Sequence, residues 1–516
     1  MRGMTFIVGV ITILAVCSMT ASPTQHEDGG AATYAKKTNA EKTPRIEVVD
    51  GKKYYYWPEF GQWSNSKLQL RGERSAHPAA QWFPDAGLGL FMHWGIVSEF
   101  EPSGEAWSGR WTEKREKQGI FYPQTKIWAA AESFNPKNYH PDKWMAAAKA
   151  AGFNYAVLTT KHHDGYALWD SDVAKIGVRQ YLNGRDLVKP YVEACRKSGV
   201  KVGFYYSGMD WYYDRDTMNF SVQAGVKVNY KGEKVDFLPP RSADFAGKFS
   251  EFNEGQVREL LQFKPDLWWS DGGAGMAISK IRQLQPGIVC NNRNKERDGD
   301  YVTPEGNHMA APRYMDPVVD NKWWWESCEI ANGGSWHYSQ KAEKVNQTDA
   351  FLYRLAQIRS MGGNMLANIA PQPDGDMPKQ AYRLFSEMAV WMKTGRESIY
   401  KINGGCGLDP EKANAPVTIR DQVWYVHARA DWATQNNPVV LKDMVRPRSV
   451  TLLRTGDALS YEFANGVLQL TIPAGSKNYR KGTDVIKLVF DTVAVSEPYF
   501  FRNRSAAVKF VGNTVN

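Results

Sequence analysis

The sequence predicts a (β/α)8 TIM-like barrel followed by a C-terminal antiparallel β-sandwich domain. Continuous apolar strands alternate with helical segments between about Pro78 and Thr394, as they do in parallel sheets that helices cover on both faces. Polar side chains follow the carboxyl ends of several of these strands, where the active site of such a barrel lies. After Thr394, short β-rich runs replace the helical segments. The sequence contains no glycine-rich phosphate loop of the kind typical of doubly wound open sheets, and this favours the barrel.

The predicted strands of the barrel are short apolar runs that span Leu88–Trp94, Tyr155–Thr160, Val200–Tyr206, Asp266–Ser270, Gly287–Asn291 and Asn364–Ile369. The helical segments between them span Pro141–Ala151, Arg185–Ser198, Phe249–Phe263, Ala277–Leu284 and Asp349–Met361. A proline near the start of a segment and a glycine just after its end are typical helix boundaries. Among the polar residues at the strand ends are His93, His162, His163 and Asp271.

The β-domain is predicted from short runs separated by turn residues, at Val417–Ala428, Ser449–Leu453, Leu459–Phe463, Val467–Ile472 and Asp484–Phe490. We therefore divide the chain into a signal peptide (1–22), an N-terminal tail (23–75), a catalytic barrel (76–395) and a β-sandwich domain (396–516). A length of 516 residues agrees with two folded domains.

The first residues predict export, either secretion or a periplasmic location. Arg2 precedes the apolar run Phe6–Cys17, which is too short to span a bilayer, and the small-residue stretch Ser18–Ser22 follows. The segment before Cys17 also resembles a bacterial lipoprotein box, although Val16 stands where a smaller residue is usual. A lipid anchor at Cys17 is thus the alternative. No later segment reaches the length of a membrane span.

Composition restricts the class of partner. The net charge is +9 and the pI is about 9.0, but Lys and Arg are scattered among nearly as many acids and no nucleic-acid-binding motif occurs. We therefore expect no nucleic-acid partner, whereas an acidic substrate such as a sulfated polysaccharide agrees with the charge. The 19 Trp and 25 Tyr agree with a carbohydrate site, because aromatic faces stack against sugar rings.

The sequence predicts neither a metal site nor a cofactor. Cys195, Cys290, Cys328 and Cys406 are widely spaced, without the CxxC spacing of zinc sites or a disulfide framework. The adjacent histidines of the KHHDG motif could suggest a metal, but successive strand side chains diverge and no third ligand stands at a helical spacing.

Asp271 is the strongest catalytic candidate by its residue type and position. It ends a predicted strand after two tryptophans and a serine, and Gly272 and Gly273 follow it. Glycoside hydrolysis needs two carboxylates beside the scissile bond. An Asp-Gly pair is equally typical of a turn or a helix cap, so this residue alone leaves both interpretations open.

Six motifs in order resemble family 29 of the glycoside hydrolases, the α-L-fucosidases. They are GLGLFMHWG, LTTKHHDGYALWDS, FYYSGMDW, DLWWSDGG, WWWESC followed by SWHY, and NMLANIAPQPDG, from about Trp82 to Tyr400. The resemblance implies a (β/α)8 barrel with a C-terminal β-sandwich and no metal. It also implies hydrolysis of terminal α-L-fucosyl residues from a fucosylated oligosaccharide or polysaccharide, with retention of configuration by double displacement.

The resemblance also implies residue roles. Asp271 corresponds to the nucleophile, and the sugar contacts correspond to His93, Trp94, His162, His163, Trp269 and Arg293. Tyr205 or Tyr206 resembles a further contact, and we favour Tyr205 because adjacent strand residues face opposite ways. Glu305 in GDYVTPEG resembles the acid/base. Glu326 in WWWESC is its rival, and otherwise a substrate contact.

Several points stay open at the level of sequence. Glu105 and Trp107 lie in a first loop where the family often supplies a Glu and a Trp, but this loop matches poorly. In SWHY, His337 replaces the usual glycine. One alternative function is a catalytically inactive fucose-binding protein. Another is a related retaining glycosidase or transglycosidase that acts on α-L-galactosides or sulfated fucans. Linkage preference and oligomeric state are also open.

Overall fold

The computed structural model describes residues 45–49, 52–56, 74–100, 110–303, 324–331, 335–339, 347–402, 404–405, 413–429, 438–472, 483–491 and 500–501. The predicted signal peptide, Cys17, Cys406, Glu305, Glu105 and Trp107 lie outside these residues. In the described part of the chain, no helix combines the length and apolar character that a bilayer crossing needs.

Eight parallel strands form the barrel. They are β1 (Leu88–Met92), β2 (Tyr155–Lys161), β3 (Lys201–Ser207), β4 (Leu267–Asp271), β5 (Val289–Cys290), β6 (Tyr301–Val302), β7 (Trp324–Ile330) and β8 (Asn364–Asn368). The hydrogen-bonded order is β6-β7-β8-β1-β2-β3-β4-β5. A parallel bridge between Asn291 and Tyr301 connects the two ends of this order. The predicted barrel is confirmed.

The helices of the barrel are α1 (Glu113–Lys117), α2 (Gln124–Ala129), α3 (Pro141–Ala150), α4 (Val178–Tyr181), α5 (Val188–Lys197), α6 (Phe245–Leu261), α7 (Ile278–Leu284), α8 (Thr348–Ser360) and α9 (Lys379–Gly395). Helix α3 ends as predicted, because Gly152 adopts a φ of +99° just past its end. Helix α5 begins later than Arg185, because the Asp186 carboxylate accepts the backbone N–H groups of Val188 and Lys189.

Side chains fill the barrel interior. Tyr155, Tyr205, Trp269 and Tyr301 belong to one buried cluster inside the barrel, while a second and larger cluster lies between the strands and the helices. Gly89 on β1 makes room for the Tyr155 ring, since a Cβ atom at Gly89 would lie 2.2 Å from it. The interior is therefore a packed core rather than a pore.

The C-terminal strands are β9 (Gly404–Gly405), β10 (Val417–Arg420), β11 (Val423–Ala428), β12 (Val439–Leu441), β13 (Ser449–Leu452), β14 (Tyr461–Ala464), β15 (Val467–Leu470), β16 (Asp484–Val489) and β17 (Phe500–Phe501). They form two antiparallel sheets, ordered β13-β16-β11-β10-β9-β17 and β12-β15-β14. The sheets share one apolar core, which confirms the predicted β-sandwich. The indole of Trp391 on α9 donates to the Thr483 carbonyl (2.8 Å) and ties this domain to the barrel.

The remaining strands are short. Arg45–Val49 and Lys52–Tyr56 form an antiparallel hairpin within the predicted N-terminal tail. Tyr166–Ala167 and Ile176–Gly177 form a parallel pair in the segment between β2 and β3. Cys195 and Cys290 are buried free thiols, and Cys328 is buried as well.

Candidate active site

Polar side chains from five strand ends meet at one mouth of the barrel. His93 follows β1, His163 follows β2, Tyr205 lies near the end of β3, Asp271 ends β4, and Arg293 follows β5. Because parallel strands end on the same side of a barrel, residues that are far apart in sequence come together here.

Asp271 is held by two donors. Arg293 Nη2 donates to Oδ1 (2.9 Å), and Tyr205 Oη donates to Oδ2 (2.9 Å). His163 Nε2 lies 3.7 Å from Oδ2. Burial by itself raises the pKa of Asp271, but the charge of Arg293, the proximity of His163 and both hydrogen bonds lower it, and the net pKa is below the ordinary value. The carboxylate is therefore ionised at neutral pH.

An aromatic floor supports these donors. The Tyr205 and Trp269 rings stack with centroids 5.3 Å apart, and the Arg293 guanidinium lies 4.7 Å from the Trp269 ring centroid. Tyr206 faces the opposite side, where its hydroxyl lies 2.7 Å from Asn253 Oδ1. The strand alternation thus places Tyr205, and not Tyr206, at the site.

The orientation of His163 follows from its neighbours. Ser207 Oγ donates to the Met209 carbonyl (2.8 Å), so it accepts the proton of His163 Nδ1 (2.6 Å). His163 Nε2 then faces the Asp271 carboxylate at 3.7 Å, where the charge of a protonated imidazole lowers the pKa of Asp271.

His93 and His162 are neutral imidazoles. The Asn368 amide donates to the Trp336 carbonyl (2.7 Å), so its Oδ1 accepts the proton of His93 Nδ1 (2.7 Å). Burial lowers the pKa of His93 to about 4 and lowers the pKa of His162 well below its ordinary value. The His162 ring stacks on Tyr205 with centroids 4.9 Å apart. Both imidazoles can therefore hydrogen-bond a polyol without adding charge.

Trp336 and His337 of the SWHY motif also line this site, beside His93 and His162. The Trp336 ring lies 5.1 Å from the His93 ring. His337 is buried, and burial lowers its pKa to about 3. The SWHY motif is the signal that could have identified both residues.

His162, His163 and Asp271 also offer ligand atoms within 4.8 Å of one another, a spacing that a metal ion could use. However, donors already hold both oxygens of Asp271, and the guanidinium 2.9 Å from Oδ1 repels a second cation. The electrostatics thus suit a neutral sugar better than a metal ion.

Comparison with known proteins decides the family. The sequence profile described as alpha-L-fucosidase matches residues 63–397. The chain belongs to the α-L-fucosidase family. This family is family 29 of the glycoside hydrolases, and membership makes the protein a glycosidase that hydrolyses α-L-fucosides.

Individual proteins that this chain resembles are also α-L-fucosidases. Tissue alpha-L-fucosidase of Bos taurus is 28% identical over 345 residues, covering 63% of this chain and 69% of the relative. The Homo sapiens tissue enzyme is 27% identical over 347 residues, covering 63% and 70%. Alpha-L-fucosidase isoenzyme 1 from Paenibacillus thiaminolyticus is a solved structure with a TM-score of 0.65 and 27% identity, covering 80% of this chain and 99% of that one.

Trp94 and Glu326 lie away from the mouth of the barrel in this α-L-fucosidase, although the family resemblance implied a role for both. Trp94 points into the helix layer, where its ring packs against Trp144 (5.5 Å) and its Nε1 donates to the Gln372 carbonyl (3.0 Å). It follows His93 directly, just past the end of β1, and the two side chains point to opposite sides. We therefore leave Trp94 out of the proposed sugar contacts.

Glu326 lies inside the barrel core. It is fully buried, and its register partner is Asn364, the first residue of β8, whereas Asn368 at the end of β8 contacts His93. Four residues of strand span roughly 13 Å. Glu326 is thus below the mouth, and we leave it out of both the sugar contacts and the acid/base role.

Proposed function

We propose that this enzyme is an exported retaining α-L-fucosidase that removes terminal α-L-fucosyl residues from glycans by double displacement. Asp271 is its nucleophile and Glu305 its acid/base. The observation that carries the proposal is the Asp271 carboxylate, which Arg293 and Tyr205 hold ionised and oriented at the barrel mouth.

In the first step, the Asp271 carboxylate attacks the anomeric carbon while Glu305 gives its proton to the departing glycosidic oxygen. The bond to the aglycone breaks, and a glycosyl ester forms on Asp271. In the second step, Glu305 takes a proton from water, which displaces Asp271 and releases fucose with its original configuration.

The position of Glu305 in the chain and its sequence setting both suit the acid/base. It follows the last residue of β6 by three positions, so the chain reaches it from the carboxyl end of a barrel strand, the end that also carries Asp271. It also stands in the sequence setting that resembles the family's acid/base. Its rival Glu326 is enclosed in the barrel interior.

The sugar contacts follow from the chemistry of the mouth. His93, His162, His163 and Arg293 present hydrogen-bonding nitrogens to the fucose hydroxyls. Trp269 and Trp336 supply apolar faces for the 5-methyl side of the ring. Neutral imidazoles suit this task because burial already keeps His93 and His162 uncharged.

Export rests on the N-terminal sequence alone. Arg2 and the apolar run Phe6–Cys17 support secretion or a periplasmic location. Fractionation of cells that express the full chain, against cells that express a chain lacking residues 1–22, tests this point. Equal distribution of the two proteins contradicts export.

The decisive experiment follows hydrolysis of 4-nitrophenyl α-L-fucoside and records the product anomer by NMR. The wild type should release nitrophenol and form α-L-fucose first. Asp271→Ala should lower kcat by on the order of a thousandfold or more, because the covalent step is lost. Azide should then occupy the vacated carboxylate position and give β-L-fucosyl azide.

The matched control is Asp142→Ala, which removes an exposed carboxylate and should keep wild-type turnover. An active Asp271→Ala variant contradicts the nucleophile assignment. A wild type that binds fucose in a titration but releases no nitrophenol from any fucoside contradicts hydrolysis and favours the binding protein.

A further inference from the structure

Beneath the catalytic site, the barrel core contains a fully buried carboxyl group. Glu326 on β7 accepts three hydrogen bonds from other strands or their ends. Tyr155 Oη donates to Oε2 (2.6 Å), while Thr303 Oγ1 (2.9 Å) and Trp269 Nε1 (3.1 Å) donate to Oε1. Burying a carboxyl group is costly without such partners, so an apolar residue of similar volume would suit a purely structural position.

One of these donors leads directly to the nucleophile. The Trp269 indole binds Glu326 at its nitrogen, and its ring supports Arg293 (4.7 Å) and stacks on Tyr205 (5.3 Å). Arg293 and Tyr205 are the two groups that donate to the Asp271 carboxylate. A chain of contacts therefore runs from Glu326 through Trp269 to both donors of the nucleophile.

We propose that Glu326 is a positioning residue for the fucosidase reaction, which fixes the Trp269 indole so that Arg293 and Tyr205 keep the Asp271 nucleophile oriented and ionised. This inference rests on the proposed role of Asp271. Glu326 touches neither the sugar nor the leaving group.

The bond to Trp269 is independent of the charge of Glu326. An indole N–H can only donate, so Oε1 must accept it in either protonation state. Tyr155 and Thr303 have hydroxyl groups that can turn from donor to acceptor. Burial raises the pKa of Glu326 to about 7, and a proton placed on Oε2 would be shared with Tyr155 while Trp269 stays bound.

Two substitutions separate geometry from charge. Glu326→Gln keeps the length and an oxygen for Trp269 but cannot ionise, and its amide can donate to Tyr155. Glu326→Asp keeps the charge but is one methylene shorter, so it cannot hold Trp269 and Tyr155 together. The assays are the pH profile of kcat/KM for an aryl fucoside, thermal unfolding and near-UV circular dichroism.

We expect Glu326→Gln to keep kcat/KM within about threefold of the wild type, with an unchanged acidic limb. Glu326→Asp should lower kcat/KM by about tenfold or more, because small displacements of catalytic groups are costly. Its acidic limb should also move to higher pH. The reason is that Arg293 and Tyr205 lower the pKa of Asp271, and they would contact it less well.

Tyr155→Phe is the matched control, because it removes a buried hydrogen bond from Glu326 and leaves the Trp269 bond in place. It should lower the unfolding temperature without moving the acidic limb. If Glu326→Asp does not fold, Glu326→Met takes its place, since it fills the volume and accepts no hydrogen bond.

The proposal is overturned if the shortened or apolar variant folds and keeps both the wild-type kcat/KM and its acidic limb. It is also overturned if Glu326→Gln is as inactive as Glu326→Asp and azide restores its turnover, because Glu326 would then be the acid/base. A wild type without fucosidase activity would instead contradict the proposed function.

Discussion

At the scale of single residues, the ionisation of Asp271 depends on Arg293. Burial favours the neutral carboxyl group, and the guanidinium 2.9 Å away reverses this effect. Arg293→Met should therefore raise the pKa of Asp271 and move the acidic limb of kcat/KM to higher pH. It should also lower kcat/KM by roughly a hundredfold, because a charge-assisted hydrogen bond to the reacting group is lost.

The control for this prediction is Arg297→Met, a substitution in the same loop that should leave the limb unchanged. The pH profile of kcat/KM with an aryl fucoside measures both variants. An Arg293→Met enzyme whose acidic limb coincides with that of the wild type would show that the guanidinium does not set the ionisation of Asp271.

The sequence could predict the residues that stand at strand ends, because the carboxyl end of a parallel strand is readable from its apolar run. Asp271 and Arg293 meet at the mouth for this reason. The sequence pattern does not show how deep in the barrel a residue lies. For this reason the core position of Glu326 was not predicted. The pattern also does not show which way the Trp94 side chain points. His93 and Trp94 stand just past the end of β1, where the alternation of strand side chains no longer applies.

At the scale of secondary structure elements, a buried ion pair joins the last residue of β2 to the segment that follows β3. Lys161 Nζ lies 3.2 Å from Asp210 Oδ2 and 3.0 Å from Gln256 Oε1 on α6, and both charged side chains are almost fully buried. The Trp211 N–H also donates to the His163 carbonyl (2.8 Å). The pair therefore helps to fix the histidines that follow Lys161.

Lys161→Met should lower the free energy of unfolding by about 3–5 kcal/mol, because it leaves Asp210 buried without its cation. It should also raise KM, since His162 and His163 follow directly on the chain. Arg179→Met is the control, because Arg179 pairs with Asp170 at the surface and should cost less than about 1 kcal/mol. Urea unfolding and fucoside kinetics measure both variants, and equal losses of stability would contradict the argument.

Elements were predictable where the pattern was simple. The apolar run of β2 predicted a buried strand, but β7 contains Glu326 and Glu329, and two charged residues in seven do not indicate a core strand. β6 has only two residues, which is too short for any periodicity. The run Val417–Ala428 is a hairpin instead of one strand, because Asp421 turns the chain at a φ of +52°, without a glycine or proline to mark it.

At the scale of the whole molecule, acid stability is set by buried groups that titrate differently in the folded and unfolded chain. Burial lowers the pKa of four histidines among the described residues, His93, His162, His337 and His427. Burial raises the pKa of Asp164 and Glu326 to about 7. Between about pH 5 and 6.5, the unfolded chain protonates its histidines, while the folded chain holds protons on these carboxyl groups.

The histidines outnumber the carboxyl groups by two in this window, so the unfolded chain binds more protons and acid destabilises the fold. We expect the free energy of unfolding to fall by roughly 2 kcal/mol for each pH unit between about pH 6.5 and 5. Urea unfolding at several pH values measures this slope. His427→Gln should reduce it by about 1 kcal/mol per pH unit, because one of the two net proton-binding differences is removed far from the catalytic residues. A stability that stays constant or rises on acidification would mean that the carboxyl groups, and not the buried histidines, dominate the acid response.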